Sequence, residues 1–242
     1  MRLIKLDAIG STNDYLKDLA KAENLSEFTI VTAETQTAGR GQRGATWIVE
    51  PGKNLTMSVF VKVQMSETTQ LFALNAAVAL TILEVLKTFG IPELSLKWPN
   101  DIMSGRTKVG GILIENSVKT DNSVASVIGI GLNVNQTDFE GLPNASSLAL
   151  VSGVFFEKDE ICIHIASALE KRLEVFEKTS QKIWSDYQQN LFRKGKPTLF
   201  QDLSGDKFMG IIANATKEGL LEIKLGDDSI KSFGIKEVTM LY

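Results

Sequence analysis

Gly39-Arg40-Gly41-Gln42-Arg43-Gly44 follows a short β-branched run, Phe28 to Thr35, and leads into Ala45-Thr46-Trp47-Ile48. Its glycines have the spacing of a dinucleotide-binding turn, but such a turn opens directly into a helix and has an acidic residue further on. Ala45-Thr46-Trp47-Ile48 does not read as a helix start, so the stretch is a strand and then a loop. Arg40 and Arg43 indicate its use. Guanidinium forks suit phosphate or carboxylate, and the glycines let backbone N–H groups approach an anion closely. The stretch therefore reads as an anion-binding loop in preference to a simple flexible turn.

Upstream, Met1 to Asp7 meets charge every few residues; it reads as a strand and lacks the apolar stretch of a secretory signal. Ser11-Thr12-Asn13-Asp14 precedes Tyr15, Leu16, Leu19 and Ala20, which predicts a helix over 12–22 with Ser11 as its N-cap. Downstream, Leu55 to Val63 alternates as a strand, and Gln70 to Phe89 is a mostly apolar helix that stops at Gly90. Short apolar runs at 94–98, 109–115 and 124–132 read as sheet strands, separated by Pro99-Asn100-Asp101 and Asp121-Asn122-Ser123. Helical spacing returns over Asp159 to Lys178 and Ile183 to Phe192. Beyond Gly195 the chain reads as four or five short strands with turns at Gly205, Gly219 and Gly226, the pattern of a small antiparallel barrel. The expected fold class is α/β (α+β), with a boundary near Lys194 that divides 1–194 from 195–242.

Composition bounds the function. In 242 residues, 26 Lys+Arg stand against 29 Asp+Glu, a net charge of -3 that excludes a globally basic nucleic-acid coat. Hydrophobic residues at 43% supply a sizeable core. Cys162 is the only cysteine, so no internal disulfide or zinc cluster forms, which fits a reducing compartment. The most apolar run, Leu71 to Leu86, is flanked or interrupted by Gln70, Asn75, Thr81 and Glu84 and falls short of the ~18 residues of a spanning helix. A cytoplasmic protein with no membrane role is expected. His164, the one histidine, lies two residues from Cys162 on a helix, so the two face different ways and form no dyad. Nucleophilic hydrolase chemistry is therefore disfavoured.

Three further stretches carry chemistry. Lys97-Trp98-Pro99-Asn100-Asp101 joins a cation, an aromatic ring and an Asn-Asp pair at a strand end, where open sheets place ligand sites, although a plain turn has the same composition. Lys108-Val109-Gly110-Gly111 puts an ammonium before two glycines, which suits either a ligand lying over bare backbone or a bulge. Gly129-Ile130-Gly131-Leu132-Asn133 ends a strand with glycines and an amide, as a nucleotide site or a routine strand exit would.

Together with Ser11-Thr12-Asn13 and the arginine-glycine loop, these stretches, in this order and spacing, resemble the biotin protein ligases over nearly the whole chain. The resemblance implies a mixed-sheet catalytic domain over 1–194 and a small SH3-like β-barrel over 195–242. It implies ATP and Mg²⁺ for activating biotin to biotinyl-5'-AMP, followed by transfer to a lysine of a biotin carboxyl carrier domain of a carboxylase. The form of the family lacking an N-terminal DNA-binding domain is expected, with no DNA partner, because Ser11 begins the motif series so early. Homodimers through a sheet edge are common in the family.

The same resemblance assigns residues. Ser11, Thr12, Asn13 and Gln36 are placed at biotin's ureido ring, with Arg40, Gly41, Gln42, Lys108, Gly110 and Gly111 completing the biotin site. Arg43, Trp47, Asn100, Asp101 and Asn133 are placed at ATP, with Asp101 also a candidate metal ligand. Lys108, Arg40 and Arg43 are the candidate catalytic cations. Gln42 departs from the arginine many members carry at the fourth loop position. The rival readings are a lipoate or octanoate ligase or transferase and a non-catalytic biotin- or nucleotide-binding module.

Overall fold

The computed structural model describes residues 1–64, 70–118 and 123–242. Asp121 and Asn122, in the turn read from sequence, lie outside the described residues. The first part of the chain forms β1 (Arg2–Ile9), α1 (Thr12–Ala22), β2 (Thr29–Gln36), β3 (Leu55–Gln64) and α2 (Gln70–Thr88). Then come β4 (Leu94–Lys97), β5 (Asp101–Ser104), β6 (Thr107–Val118) and β7 (Ser123–Leu132). Helices α3 (Leu148–Ser152), α4 (Lys158–Glu174) and α5 (Phe176–Gln189) lead to β8 (Pro197–Asp202), β9 (Lys207–Ala215), β10 (Leu221–Lys224), β11 (Ile230–Phe233) and β12 (Val238–Leu241).

The larger sheet has the order β1-β2-β3-β7-β6-β5-β4. Only β1 and β2 run parallel, and α1 supplies the crossover that a parallel pair needs. Both faces of the central strands are covered, so neighbouring residues bury in opposite directions. Val31, Phe60 and Val127 pack under Leu16 of α1, whereas Ile30, Val59 and Ile128 belong to the main core under α2, α4 and α5. Ser11 caps α1 as its sequence predicts, its side chain accepting from the backbone N–H of Asp14.

Helix α2 corrects the sequence reading of the apolar run. Leu71–Thr88, with mean hydropathy 1.6, is long and apolar enough to cross a membrane by length and composition. Its environment explains this: 61% of that window is buried, because the helix lies between the sheet, α4 and α5. Thr81 disposes of its hydroxyl internally by bonding the Ala77 carbonyl at 2.8 Å.

Two elements, β5 and α3, are not expected from the sequence, and the helix boundaries after α3 differ from expectation. Asp101 starts β5 instead of completing a turn, since the reversal closes at Pro99-Asn100 and Asp101 already pairs with Lys97 and Gly111. The long helix ends at Glu174 and a new one starts at Phe176, with the chain turning at Val175 (φ -114°, ψ 12°). The five-residue α3 is too short to carry a helical period.

The second sheet is antiparallel with order β11-β10-β9-β8-β12. Its apolar residues Phe200, Ile212, Leu221 and Ile223 join the core cluster that contains α2 and β7. Trp98, 8% exposed, is one of the ties across this junction: its indole N–H donates to the Gly219 carbonyl at 3.1 Å.

Candidate active site

One cavity of about 350 Å³ opens beside the N-terminus of α1, lined by the larger sheet, the loop after β2 and the C-terminal segment. Glycine makes the room. Gly129 and Gly131 face it from β7, and Gly111 faces it from β6 in register with Gly131. A methyl group on Gly129 would fall 2.5 Å from Asn13 Oδ1, and one on Gly131 would fall 2.5 Å from the Trp47 indole. The bare backbone read from sequence therefore receives two of the protein's own side chains.

Strict alternation along β6 would send Lys108 into the core and Val109 to the cavity. The register between β5 and β6 shifts at Ile102/Met103, a bulge that reverses the two. Val109 is fully buried in the main core, while Lys108 lines the cavity with its ammonium 2.6 Å from Asp101 Oδ1 and 5.6 Å from the Trp47 ring centroid. The bulge, one of the two sequence readings of this stretch, is present, and it is what aims the lysine at the cavity.

The loop after β2 is a tight hairpin. Trp47 N–H donates to the Gly39 carbonyl at 3.0 Å and Gly41 N–H to the Ala45 carbonyl at 2.6 Å, with a single 3-10 turn at Gln42–Gly44. Gly39 is obligatory, since a Cβ there would lie 2.4 Å from the Trp47 carbonyl oxygen. Arg43 sits at φ 50°, and its carbonyl accepts from Lys236 Nζ at 2.6 Å, so the barrel grips the loop at its turn. Trp47 Nε1 is buried with no hydrogen-bond partner among the described residues, leaving a donor open to a ligand acceptor.

At the other end of the cavity the groups are mainly neutral. Gln36 Oε1 accepts from the Thr12 N–H at 2.7 Å and its hydroxyl at 3.0 Å. Ser58, buried on β3, holds Asn13 Oδ1 at 2.6 Å and lies 2.8 Å from Thr12 Oγ1. Sequence reasoning passed over Ser58 because a single serine in an apolar strand carries no pattern.

Most sequence-assigned residues converge here: Ser11, Thr12, Asn13, Gln36, Arg40, Gly41, Gln42, Trp47, Asn100, Asp101, Lys108 and Gly111 all line the cavity. Three do not. Gly110 faces the core, where a Cβ would meet Leu132 at 2.4 Å. Arg43 is exposed beyond the lining. Asn133 is buried and ties the segment after β7 to its surroundings, its side chain donating to the Ser146 carbonyl at 3.0 Å and its N–H to the Val109 carbonyl at 2.9 Å. Conversely, Ile235, Lys236, Val238 and Met240 form a cavity wall that no local signal announced.

Beside the cavity, Arg40 bonds Asp14 and both oxygens of Glu115, and Lys17 reaches the same two carboxylates. Burial alone would raise the Glu115 pKa, but hydrogen bonds from Lys17 and Asn13 and the charges of Lys17 and Arg40 outweigh it and hold the carboxyl below its ordinary value. Its contribution to stability is therefore full above the unfolded glutamate pKa and is lost as pH falls through the lowered folded one. Melting temperature is expected to drop in that acid window, and less so in Glu115→Gln. Superimposable profiles for the two proteins would remove this role. Away from the site, burial pushes the Cys162 thiol up to about 11, consistent with a packing residue.

No cluster of three or more His, Cys, Asp or Glu side chains able to hold a metal occurs among the described residues. Asp101, the single carboxylate of the lining among the described residues, suits Mg²⁺ arriving with a nucleotide, because that ion is commonly held by one or two carboxylates plus substrate phosphates and water.

The cavity thus combines a neutral hydrogen-bonding end, a cationic middle and a glycine floor. The profile of the biotin/lipoate A/B protein ligase family matches residues 6–133, and the chain belongs to that family. It is 30% identical over 93% of its length to the bifunctional ligase/repressor BirA of Bacillus spizizenii, covering 73% of that protein. Against the biotin–acetyl-CoA-carboxylase ligase of Mycobacterium tuberculosis it is 28% identical, with 91% of this chain and 82% of that protein covered. The biotin protein ligase of Aquifex aeolicus in complex with biotin and ATP superimposes with a TM-score of 0.80 at 26% identity, covering 99% of this chain and 98% of that one.

Proposed function

We infer that this chain is a biotin protein ligase, which joins biotin to ATP and passes the biotinyl group to a protein lysine. The observation that carries the reading is a single cavity in which the polar groups of Ser11, Thr12, Asn13 and Gln36 lie at one end and Lys108, Asp101 and Arg40 surround the glycine floor. In the first step a biotin carboxylate oxygen attacks the α-phosphorus, the bond to the bridging oxygen breaks and pyrophosphate leaves. Two anions must meet, so fixed cations are needed where the charge develops. Lys108 supplies one from the strand and Arg40 another from the loop. Mg²⁺, held by Asp101 and the nucleotide, would neutralise phosphate charge. In the second step the acceptor amine attacks the biotinyl carbonyl carbon and AMP leaves.

The ureido ring is neutral, and each of its buried polar atoms left unmatched would cost about 1–3 kcal/mol. The α1 N-terminus and Gln36 are the partners we assign to it. Adenine is assigned to Trp47 and to the Asn100 side of the cavity. The acceptor we propose is a biotin carboxyl carrier domain, and the division at Lys194 is part of the same reading, with 195–242 as the barrel that closes the site.

The test is biotin-dependent exchange of labelled pyrophosphate into ATP with Mg²⁺, run beside lipoate and octanoate. Exchange with biotin alone is expected. Exchange with lipoate or octanoate instead would move the chain to the lipoate branch, and none with any acid would leave a binding module. Gln42 lines the cavity without the charge an arginine would bring. Gln42→Arg is accordingly expected to release biotinyl-AMP more slowly, read by a filter-binding chase; equal release rates would refute this.

A further inference from the structure

Glu115 lies on β6, two residues beyond Leu113, and is not part of the cavity lining. Its two oxygens nonetheless hold groups from two ligand-facing elements. Oε2 accepts from Asn13 Nδ2 at 2.8 Å, and Oε1 accepts from Lys17 Nζ at 2.8 Å, both on α1. Arg40 Nη2, from the loop, lies 3.1 Å from Oε2 and 3.2 Å from Oε1. A single carboxylate therefore fastens the amide at one end of the cavity and the guanidinium at its mouth.

Each contact fixes something that would otherwise be free. The ends of an asparagine amide differ only in what they donate and accept, so its orientation is set by its partners. Glu115 and the Leu113 carbonyl take both Nδ2 hydrogens, at 2.8 and 3.2 Å, which turns Oδ1 toward Ser58 and over Gly129. Arg40 is a long side chain on the hairpin that follows Gln36, which bonds Thr12, and leads into Trp47, which packs against Gly131. Its charge is balanced here, since Asp14 and Glu115 together offset Lys17 and Arg40. Without the carboxylate, Arg40 would have only Asp14 to hold it, and the Asn13 amide would have no anionic partner to define its direction.

We propose that Glu115 is a positioning residue of the ligation reaction: it sets the Asn13 amide and the Arg40 guanidinium together, so that recognition of biotin's neutral ring and closure of the loop occur in one geometry. This rests on the biotin ligase reading. A purely structural carboxylate, stapling α1 to the sheet, would contribute to melting temperature and leave substrate affinity alone.

The experiment uses the full chain with Glu115→Gln, which keeps the shape, and Glu115→Asp, which keeps the charge. In pyrophosphate exchange, Glu115→Gln is expected to raise the biotin KM by about 10- to 100-fold, the size of a lost charged hydrogen bond, while the ATP KM changes less than twofold. Glu115→Asp should recover part of the loss. In the Asn13→Ala, Arg40→Ala background, the same Glu115→Gln change should add almost nothing, because the groups it acts through are gone. An unchanged biotin KM, or an effect that simply adds in that background, would overturn the proposal. A second readout is independent of activity: trypsin should cut after Arg40 faster in Glu115→Gln than in the parent protein, and equal rates would likewise count against it. Absence of biotin-dependent exchange in the parent protein would refute the ligase reading itself, with the trypsin comparison still testing whether Glu115 holds the loop.

Discussion

Lys108→Ala is expected to lower biotin-dependent pyrophosphate exchange by about 10²- to 10³-fold, the usual loss when one fixed donor is removed from developing transition-state charge. The structure gives two reasons for a value at the upper end. The β-bulge that aims Lys108 leaves no neighbouring side chain of β6 to replace it, since Val109 points into the core and Gly110 has no side chain. Its removal also takes from Asp101 the ammonium at 2.6 Å, leaving it only the more distant Lys97 ammonium at 4.0 Å among the described residues. Folding should change little, because the pair stays open to solvent at its rim, 34% exposed at the lysine and 18% at the aspartate, and ion pairs near the surface contribute about 0–1 kcal/mol. Exchange within twofold of the parent at saturating biotin and ATP would remove Lys108 from the chemistry.

The largest loss of stability is expected from Trp98→Ala. The ring is 8% exposed, belongs to the main core and lines the cavity, and its N–H is bonded to the Gly219 carbonyl across the junction between the two sheets. Truncating a buried tryptophan costs about 3–5 kcal/mol, which for a chain of this size lowers Tm by roughly 6–20 °C. Trp98→Phe keeps most of the buried area but leaves the Gly219 carbonyl without its donor, a loss nearer 1 kcal/mol. Calorimetric melts of the three proteins should fall in that order. If Trp98→Ala melts within 2 °C or so of the parent, the junction is held by other contacts.

What the sequence displayed and what it hid follow from the range of the interactions involved. The cap of α1 depends on atoms three residues apart, so Ser11 and Asp14 revealed it. The arginine-glycine loop was recognised because its glycines answer a local need, the approach of the Trp47 carbonyl to Gly39. The whole of β5 was hidden, since Pro99-Asn100 signals a reversal without saying that a strand begins at Asp101, and four residues are too few to show an alternation. Glu115 lies where α1, the hairpin and β6 meet, and its partners Asn13, Lys17 and Arg40 are 75 to 102 residues away in sequence. No spacing rule reaches that far. The same distance hid the barrel wall, because Val238 and Met240 carry only the ordinary alternation of a short strand.

The wall contributed by Ile235, Val238 and Met240 bears on how a small molecule could tell this protein from its relatives. Compounds built only on the motif residues meet groups whose identity the shared chemistry constrains, so they gain affinity without gaining discrimination. Selectivity is a difference between affinities and needs contacts that differ between the targets. A compound extended from the Gly111–Gly131 floor toward Met240 would touch apolar side chains that take no part in the proposed chemistry, so nothing in that chemistry fixes their shape. An inhibitor programme would therefore look for its selectivity in the last few residues of the chain and for its potency in the first half.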